Sequence, residues 1–314
     1  MHSWYLFKQD YATQYPNWGV TYSARYANEL GLDAKETYLA ILDDLHVKSI
    51  RLPVYWSEIE KKDGVYDFSS IDWQIIEAAK RDANVILVVG YRVPRWPECF
   101  APAWAKDLPG DEFDAAIQDV ITETVRHFRV YDNIIVWQVH NEPFLKSFGE
   151  CRELSQEQVQ SHVELVHKLD YRPVMLTESG ELSTWTKSAE LADVIGTSLY
   201  RTVWNKYIGY WRYPIPPAFY RLHADWVMKT YGVQKVIISE LQAEPWPPGK
   251  SILATSLDEQ FKSFDLYKLK HNTDYARRTG MSDIYFWGVE WWYWLKGQGH
   301  PEFWEYMKKV FALR

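Results

Sequence analysis

Two glutamates of this chain have the residue type and the position that acid–base chemistry requires. Glu142 follows the apolar run Ile134–Val139, and Glu240 follows the apolar run Val236–Ile238. Both carboxylates are therefore expected to be partly buried, and a buried carboxylate without a function is costly. Two such carboxylates that face each other can move protons to and from a bound molecule. The sequence thus predicts a catalytic pair.

Other polar or large aromatic side chains stand at the ends of further apolar runs. Arg51 could serve the same site, or it could neutralise a core carboxylate, and both interpretations stay open. Glu178 and Glu290 could likewise pair with a neighbouring arginine or lysine. This group contains Arg51, Asn141, Glu178, Tyr200, Trp287 and Glu290.

A recurring unit positions these residues: a short apolar run, a loop and then an amphipathic helix. Continuous apolar runs are typical of parallel strands that are buried on both faces. The predicted strands are Trp18–Tyr22, Ser49–Tyr55, Asn84–Tyr91, Ile134–Asn141, Pro173–Glu178, Val194–Tyr200, Lys235–Leu241 and Ile284–Trp291. The predicted helices are Lys35–Leu45, Ile71–Arg81, Glu112–Phe128, Ser155–Leu169, Ser188–Leu191, Pro217–Tyr231, Asp258–Thr279 and Glu302–Phe311.

Several predicted helices have recognisable ends. Ser155 followed by Gln158 resembles a capping box, and Pro217 suits a first helical turn. Gly232 and Gly280 suit the positions that follow a helix C-terminus.

Eight strands that alternate with helices predict an α/β fold with a single (β/α)8, or TIM, barrel. An open doubly wound sheet is the alternative, but no G-x-G-x-x-G turn follows the first predicted strand. No linker divides the chain, so we expect one catalytic domain over residues 1–314, with 1–16 as an N-terminal extension. Active sites of such barrels lie at the C-terminal ends of the strands. Glu142 and Glu240 are therefore expected to face each other across the barrel mouth.

Composition argues against several functions. The chain carries 35 Lys and Arg against 42 Asp and Glu, a net charge of −7, so we expect no nucleic-acid partner. No run of about 18 apolar residues occurs, so we expect no membrane insertion. No metal-binding or phosphate-binding motif occurs, so we expect no metal and no cofactor. The apolar stretch Trp4–Phe7 is shorter than the apolar core of a signal peptide. We therefore expect an extracellular or periplasmic protein if a leader was removed, and a cytoplasmic protein otherwise.

At this point the motifs resemble a known family. Val136–Pro143 (VWQVHNEP) is similar to the fourth-strand Asn-Glu-Pro motif of the retaining β-glycosidases of glycoside hydrolase clan A, which includes the family 5 cellulases. Ile237–Glu240 (IISE) resembles the seventh-strand nucleophile motif of that clan. Ile50–Trp56 and Gly64–Phe68 resemble its second strand and following loop. Trp287 falls where the clan places a tryptophan under the sugar that is cleaved.

The resemblance implies a role for each of these side chains. Glu142 would be the general acid/base and Glu240 the nucleophile, with carboxyl groups about 5–5.5 Å apart as in retaining enzymes. Arg51 would keep Glu240 ionised, and Tyr200 would donate a hydrogen bond to it. Asn141 would hydrogen-bond the 2-hydroxyl of the sugar. The implied partner is a carbohydrate substrate.

The chain departs from the family 5 pattern at two strand ends. The third predicted strand ends Gly90–Arg92 and the sixth ends Ser198–Tyr200, and neither contains the histidine that is frequent there. His140 could fill part of this role and contact substrate, or it could be a core histidine. The sugar therefore stays open, and so does the family, with families 39 and 42 as alternatives.

Aromatic residues are unusually numerous, with 17 Trp and 22 Tyr. Rings in predicted loops could stack on sugar faces and line a cleft, although packing within the loops is an alternative. Such a cleft favours a cellulase, β-glucanase or mannanase. A β-galactosidase or β-xylosidase type of exo-glycosidase, a transglycosylase and a non-catalytic carbohydrate-binding barrel are the alternatives. The candidate stacking residues are Trp56, Trp96, Trp204, Trp246, Trp291 and Trp292.

The two cysteines follow neighbouring predicted strands. Cys99 follows the third and Cys151 the fourth, so their loops meet at the same rim of the barrel. We expect a disulfide between them, which would indicate an oxidising compartment.

Overall fold

Eight parallel strands form a closed barrel in the computed structural model, which describes residues 10–12, 15–249 and 251–313. In chain order, strands β1 to β10 span Asn17–Thr21, Ser49–Pro53, Asn84–Val89, Ile134–Val139, Val174–Glu178, Val194–Leu199, Thr202–Asn205, Gly209–Arg212, Lys235–Gln242 and Asp283–Trp287. Around the barrel their order is β1-β10-β9-β6-β5-β4-β3-β2. The predicted (β/α)8 barrel is confirmed. Most of the predicted extension 1–16 lies outside the described residues.

Helices surround the barrel and connect its strands. None of the described helices is long and apolar enough to cross a membrane. They span Ala24–Glu29, Ala34–Asp43, Trp56–Ile59, Ser69–Ala79, Gly110–Phe128, Gln156–Leu169, Thr186–Ala189, Pro217–Tyr231, Leu257–Ser263, Leu266–Arg277, Val289–Gly297 and Glu302–Ala312.

Several helix ends are those that the sequence predicts. Ser155 and Gln158 form a complete capping box. Pro217 begins its helix, and Gly232 ends it in the left-handed conformation. These local hydrogen bonds need no tertiary contact, which is why the sequence alone predicts them.

Strands β3 and β4 end two residues earlier than predicted, and the reason lies in the backbone. Gly90 has φ +106° and His140 has φ +58°, so neither can continue a strand. The predicted boundaries Asn84–Tyr91 and Ile134–Asn141 are therefore wrong by two residues. A strand ends where the chain turns into the site, and apolar character alone does not reveal that turn.

The last predicted strand, Ile284–Trp291, is wrong at its C-terminal half. Strand β10 ends at Trp287, Gly288 adopts φ +126°, and a helix covers Val289–Gly297. A short buried helix and a buried strand are both continuously apolar, so periodicity does not separate them. Glu290 consequently lies on a helix.

Other elements also differ from prediction: β2 ends at Pro53 rather than Tyr55, and the helices Ala24–Glu29 and Trp56–Ile59 were not predicted. The predicted helix Asp258–Thr279 is two helices, because Phe264 is extended and Asp265 begins the second helix by accepting a hydrogen bond from the Lys268 N–H at 2.8 Å. After β6 the chain forms an antiparallel hairpin of β7 and β8 that the sequence analysis did not predict. This hairpin stands at the C-terminal rim of the barrel, beside the predicted site.

Candidate active site

Glu240 lies in β9 and is held by two donors, one in β2 and one directly after β6. Arg51 Nη1 donates to Glu240 Oε1 at 2.8 Å, and the Tyr200 hydroxyl donates to Oε2 at 3.2 Å. Burial and the charge of Glu240 raise the pKa of Tyr200 well above its usual value. Tyr200 is therefore a neutral hydrogen-bond donor. Arg51 supplies the compensating positive charge.

Arg51 joins three strands of the barrel through its guanidinium. Besides Glu240 in β9, Nη2 donates to Asn141 Oδ1 at 2.6 Å and Nε donates to Gln138 Oε1 at 2.7 Å. Its side chain is completely buried. Arg51 therefore fixes Asn141 and Glu240 relative to each other.

Glu142 has the opposite surroundings. Within the described part of the chain, no side chain donates a hydrogen bond to its carboxylate or forms an ion pair with it. Burial, followed by the negative charges of Glu240 and Glu98, raises the pKa of Glu142 well above its usual value. The surroundings of Glu142 therefore favour its protonated form.

The segment that carries Glu142 has a strained backbone. His140 and Glu142 have φ of +58° and +42°, a region that non-glycine residues rarely adopt. Hydrogen bonds hold the strained segment: Glu142 N–H donates to Thr177 Oγ1 at 2.8 Å, and Asn141 N–H donates to the Arg92 carbonyl at 2.7 Å. Strain of this kind is concentrated at functional sites.

His140 lies beneath this segment and does not face the barrel mouth. It is completely buried, its Nδ1 accepts the Tyr91 N–H at 3.3 Å, and its Nε2 is 3.0 Å from His162 Nδ1. A Cβ on Gly90 would come within 2.6 Å of the His140 ring, so only glycine fits there. The prediction that His140 contacts substrate is wrong, because its ring packs as a core histidine.

A third carboxylate, Glu98, was missed by the sequence analysis. Arg92 contacts its Oε2 at 2.7 Å, and Asn141 Nδ2 donates to its Oε1 at 3.3 Å. Burial raises the pKa of Glu98 to about 7, with Arg92 opposing the shift and Glu240 adding to it. The position of Glu98 in a loop, away from any apolar run, left no periodic signal. Its neighbour Cys99 was the only indication.

Cys99 and Cys151 form the predicted disulfide. The bond joins the loop after β3 to the loop after β4, and it directly follows Glu98 in the chain. Arg92 of the first loop also donates hydrogen bonds to two carbonyls of the second loop, those of Leu145 and Phe148, at 2.8 and 2.9 Å.

Trp287 stands at the end of β10, as predicted, but its ring is largely covered. Its side chain is only 8% exposed, and the Arg95 guanidinium carbon lies 4.1 Å from the ring centroid. Arg95 forms ion pairs with Glu244 and, at 2.8 Å, with Glu290. One face of Trp287 is therefore already occupied by a cation.

Three of the predicted stacking tryptophans are core residues. Trp56, Trp291 and Trp292 are completely buried, and their indole N–H groups donate to Glu60, Gln260 and the Ala243 carbonyl. The prediction that they bind sugar is wrong, because no part of their rings reaches solvent. Aromatic residues beside strand ends fill the space between barrel and helices as readily as they line a cleft.

Two of the remaining tryptophans belong to a row of rings. We call Trp96, Phe148, Trp246 and Tyr200 the aromatic row; successive ring centroids are 5.6, 5.5 and 5.2 Å apart. The row runs from the β3 and β4 loops to the β6 and β9 ends, and Tyr200 touches Glu240. Trp204 lies half-buried on hairpin strand β7.

A comparison with protein families identifies the family to which the chain belongs. The model of the cellulase family, glycosyl hydrolase family 5, matches residues 10–192. The chain belongs to glycoside hydrolase family 5. The matched part of this family 5 chain contains Arg51, Asn141 and Glu142, whereas Glu240 and Tyr200 lie beyond it.

Solved structures resemble this family 5 chain over most of its length. Xylanase 10B of Thermotoga petrophila, in complex with xylobiose, is 15% identical, with 87% of this chain and 82% of that chain covered and a TM-score of 0.59. GH5_18 of Streptomyces cattleya, in complex with GlcNAc, is 12% identical, with 88% and 71% covered and a TM-score of 0.58. The exo-β-1,4-mannosidase Op5Man5 of an Opitutaceae bacterium is 13% identical, with 87% and 52% covered and a TM-score of 0.58. No curated protein matches the chain. At these identities the likeness concerns the barrel fold alone.

Proposed function

We propose that this family 5 chain hydrolyses β-glycosidic bonds with retention of configuration. Glu142 is the general acid/base and Glu240 is the nucleophile. Two carboxylates with different surroundings are what a double displacement requires, because one must begin protonated and the other ionised.

The observation that carries the proposal is the unequal pairing of the two carboxylates. Glu240 accepts hydrogen bonds from Arg51 and Tyr200, whereas the carboxylate of Glu142 has no such donor among the described residues. Glu240 thus has a cation beside it, whereas burial beside a negative charge favours the protonated form of Glu142.

The two chemical steps follow from these surroundings. In the first, a Glu240 oxygen bonds to the anomeric carbon while Glu142 gives its proton to the departing glycosidic oxygen. The glycosylated Glu240 is neutral, so one of the charges that raise the pKa of Glu142 is removed. The Glu142 carboxylate can then take a proton from water, whose oxygen attacks the anomeric carbon and releases Glu240.

Asn141 is positioned for the 2-hydroxyl of the sugar. Its Oδ1 is occupied by Arg51 Nη2 at 2.6 Å and Thr177 Oγ1 at 3.1 Å, so the amide is oriented with Nδ2 as its remaining donor. A hydrogen bond to the 2-hydroxyl strengthens as the ring approaches the oxocarbenium-like transition state.

Retention can be tested by the configuration of the first product. The purified protein is incubated with aryl β-glucoside, β-mannoside, β-xyloside and β-galactoside, and the anomer released first is read by proton NMR. We expect the β anomer to precede mutarotation. A first product with the α configuration, or the absence of turnover on every glycoside together with β-glucan, mannan and xylan, would contradict the proposal.

For the substrate, the sequence favours a β-linked glucan or mannan, and one structural observation favours a second candidate. The aromatic row joins the loops after β3 and β4 to the ends of β6 and β9, and Glu142 and Glu240 are only 7% and 5% exposed. Catalytic carboxylates with so little exposure suit a chain end or a short glycoside, as in an exo-glycosidase. Product sizing decides between them: internal cleavage gives mixed oligosaccharides early, whereas end-wise cleavage releases one product size throughout.

A further inference from the structure

Glu98 is a buried carboxylate that the proposed mechanism does not use. It lies in the loop after β3, is 4% exposed, and has φ +70°. Burying a third carboxylate beside two others is unfavourable, so its presence requires a compensating role. The contacts of its two oxygens indicate what that role is.

One oxygen of Glu98 faces Arg92. Arg92 Nη2 and Nε lie 2.7 and 2.9 Å from Glu98 Oε2. Other Arg92 groups bind the next loop: Nη1 donates to the Leu145 carbonyl, and its own carbonyl accepts the Asn141 N–H at 2.7 Å. The ion pair therefore connects the β3 loop to the segment that carries Asn141 and Glu142.

The other oxygen of Glu98 faces the amide of Asn141. Asn141 Nδ2 donates to Glu98 Oε1 at 3.3 Å, while Arg51 and Thr177 bind Asn141 Oδ1 from the opposite side. The amide is thus held from both ends. With one N–H bound to Glu98, the second N–H of Nδ2 is free to bind a ligand.

Glu98 also lies close to Glu142, because it contacts Asn141, the preceding residue in the chain, and its charge acts on Glu142. The ionisable groups around Glu142 are Glu240 and Tyr200 from the β9 and β6 side, Glu181 from the β5 loop, and Glu98 and Arg92 from the β3 loop. Glu240, Glu98 and Glu181 favour the protonated form of Glu142, and Arg92 opposes them. Removing the Glu98 charge therefore makes Glu142 lose its proton at lower pH.

We propose that Glu98 is a positioning residue that orients the Asn141 amide toward the 2-hydroxyl of the sugar and places a carboxylate beside Glu142. The inference rests on the proposed function for the identity of the ligand. Its electrostatic part concerns this chain's own side chains and can be measured without turnover.

The test separates charge from position with two substitutions. Glu98→Gln removes the charge and keeps an oxygen that accepts from Asn141, whereas Glu98→Ala removes both. Glu178→Gln is the matched control, since Glu178 is an equally buried carboxylate that accepts hydrogen bonds from Ser183 and Ser188. Carbon-13 NMR of glutamate-labelled protein, assigned with Glu142→Gln, follows the titration of Glu142 directly.

We expect Glu98→Gln to lower the titration midpoint of Glu142 by about 0.5–1 pH unit. The alkaline limb of kcat/KM should move to lower pH by the same amount. Neither the midpoint nor the limb should change in Glu178→Gln. We expect Glu98→Ala also to lower kcat roughly tenfold on an aryl glycoside and much less on its 2-deoxy analogue, which lacks the hydroxyl that Asn141 binds.

Two results would overturn the inference: an unchanged Glu142 midpoint in Glu98→Gln, or equal losses on both substrates in Glu98→Ala. Failure of the proposed function would give a different result. The wild-type protein would then show no turnover, but the titration midpoint of Glu142 could still be measured by NMR.

Discussion

Arg51 and Glu240 form an ion pair of 2.8 Å inside the barrel, although β2 and β9 are separated by β1 and β10. The pair is almost completely buried, so solvent screens it little. The same guanidinium binds Asn141. One cation therefore orients the proposed nucleophile and the residue proposed to bind the 2-hydroxyl.

Replacing Arg51 should cost both stability and activity. In Arg51→Met, Glu240 remains buried without its cation, which costs about 3–5 kcal/mol of unfolding free energy. Glu240 and Asn141 also lose the guanidinium that orients them, so activity at neutral pH should fall by about 10²–10³-fold. Urea unfolding and kcat/KM at neutral pH measure the two effects. Wild-type activity in a folded variant would show that Arg51 does not orient the proposed nucleophile.

The loss of turnover on replacing Glu142 should depend on the leaving group of the substrate. Glu142→Gln cannot donate a proton, so turnover of a substrate with a poor leaving group should fall by about 10²–10⁴-fold. A dinitrophenyl glycoside needs no proton on its leaving group, and its first step should be nearly unaffected. Equal losses on both substrates would contradict the assignment of Glu142 as general acid.

The same variant should show how Glu142 affects stability across the pH range. The native state holds a proton on Glu142 that the unfolded state releases above a pKa of about 4.5, so the wild-type protein loses stability as pH rises between that value and the higher native pKa. Glu142→Gln lacks this loss. The melting temperature of Glu142→Gln relative to that of the wild-type protein should therefore increase as pH rises above 4.5. Below pH 4.5 this difference should stay constant. A difference in melting temperature that does not change with pH would contradict the raised pKa.

The disulfide between Cys99 and Cys151 should stabilise the fold. It closes a loop with a sequence separation of 52 residues, and such crosslinks typically contribute about 2–4 kcal/mol. The double variant Cys99→Ser/Cys151→Ser should unfold at lower urea concentration than the oxidised protein and match the reduced one. Mass spectrometry after thiol alkylation, with and without reductant, establishes the state of the cysteines. Equal unfolding midpoints for oxidised and reduced protein would contradict a stabilising role.

The sequence predicts the barrel and its two main carboxylates because both have local signals. Buried parallel strands are apolar throughout, and Glu142 and Glu240 interrupt or end such runs. Capping residues such as Ser155 bond within their own helix. Each of these features depends on a few consecutive residues, which is the range in which sequence patterns are informative.

The features that the sequence does not predict depend on contacts between distant segments. Glu98 reaches the site because a disulfide and Arg92 join two loops, and Arg95 covers Trp287 from another loop. Trp291 and Trp292 follow a strand directly, yet Gly288 turns the chain into a helix that buries them. Residue type and strand-end position therefore predict proximity to the mouth, but they do not predict which ring or carboxylate faces it.

The most direct test of the account is azide rescue of Glu240→Ala on an aryl β-glycoside. Loss of the nucleophile should lower turnover by about 10⁴-fold or more. Azide should then restore it by attacking the anomeric carbon from the vacated side, and the product should be the α-glycosyl azide. Wild-type turnover in Glu240→Ala, or a β-glycosyl azide as the product, would contradict Glu240 as the nucleophile.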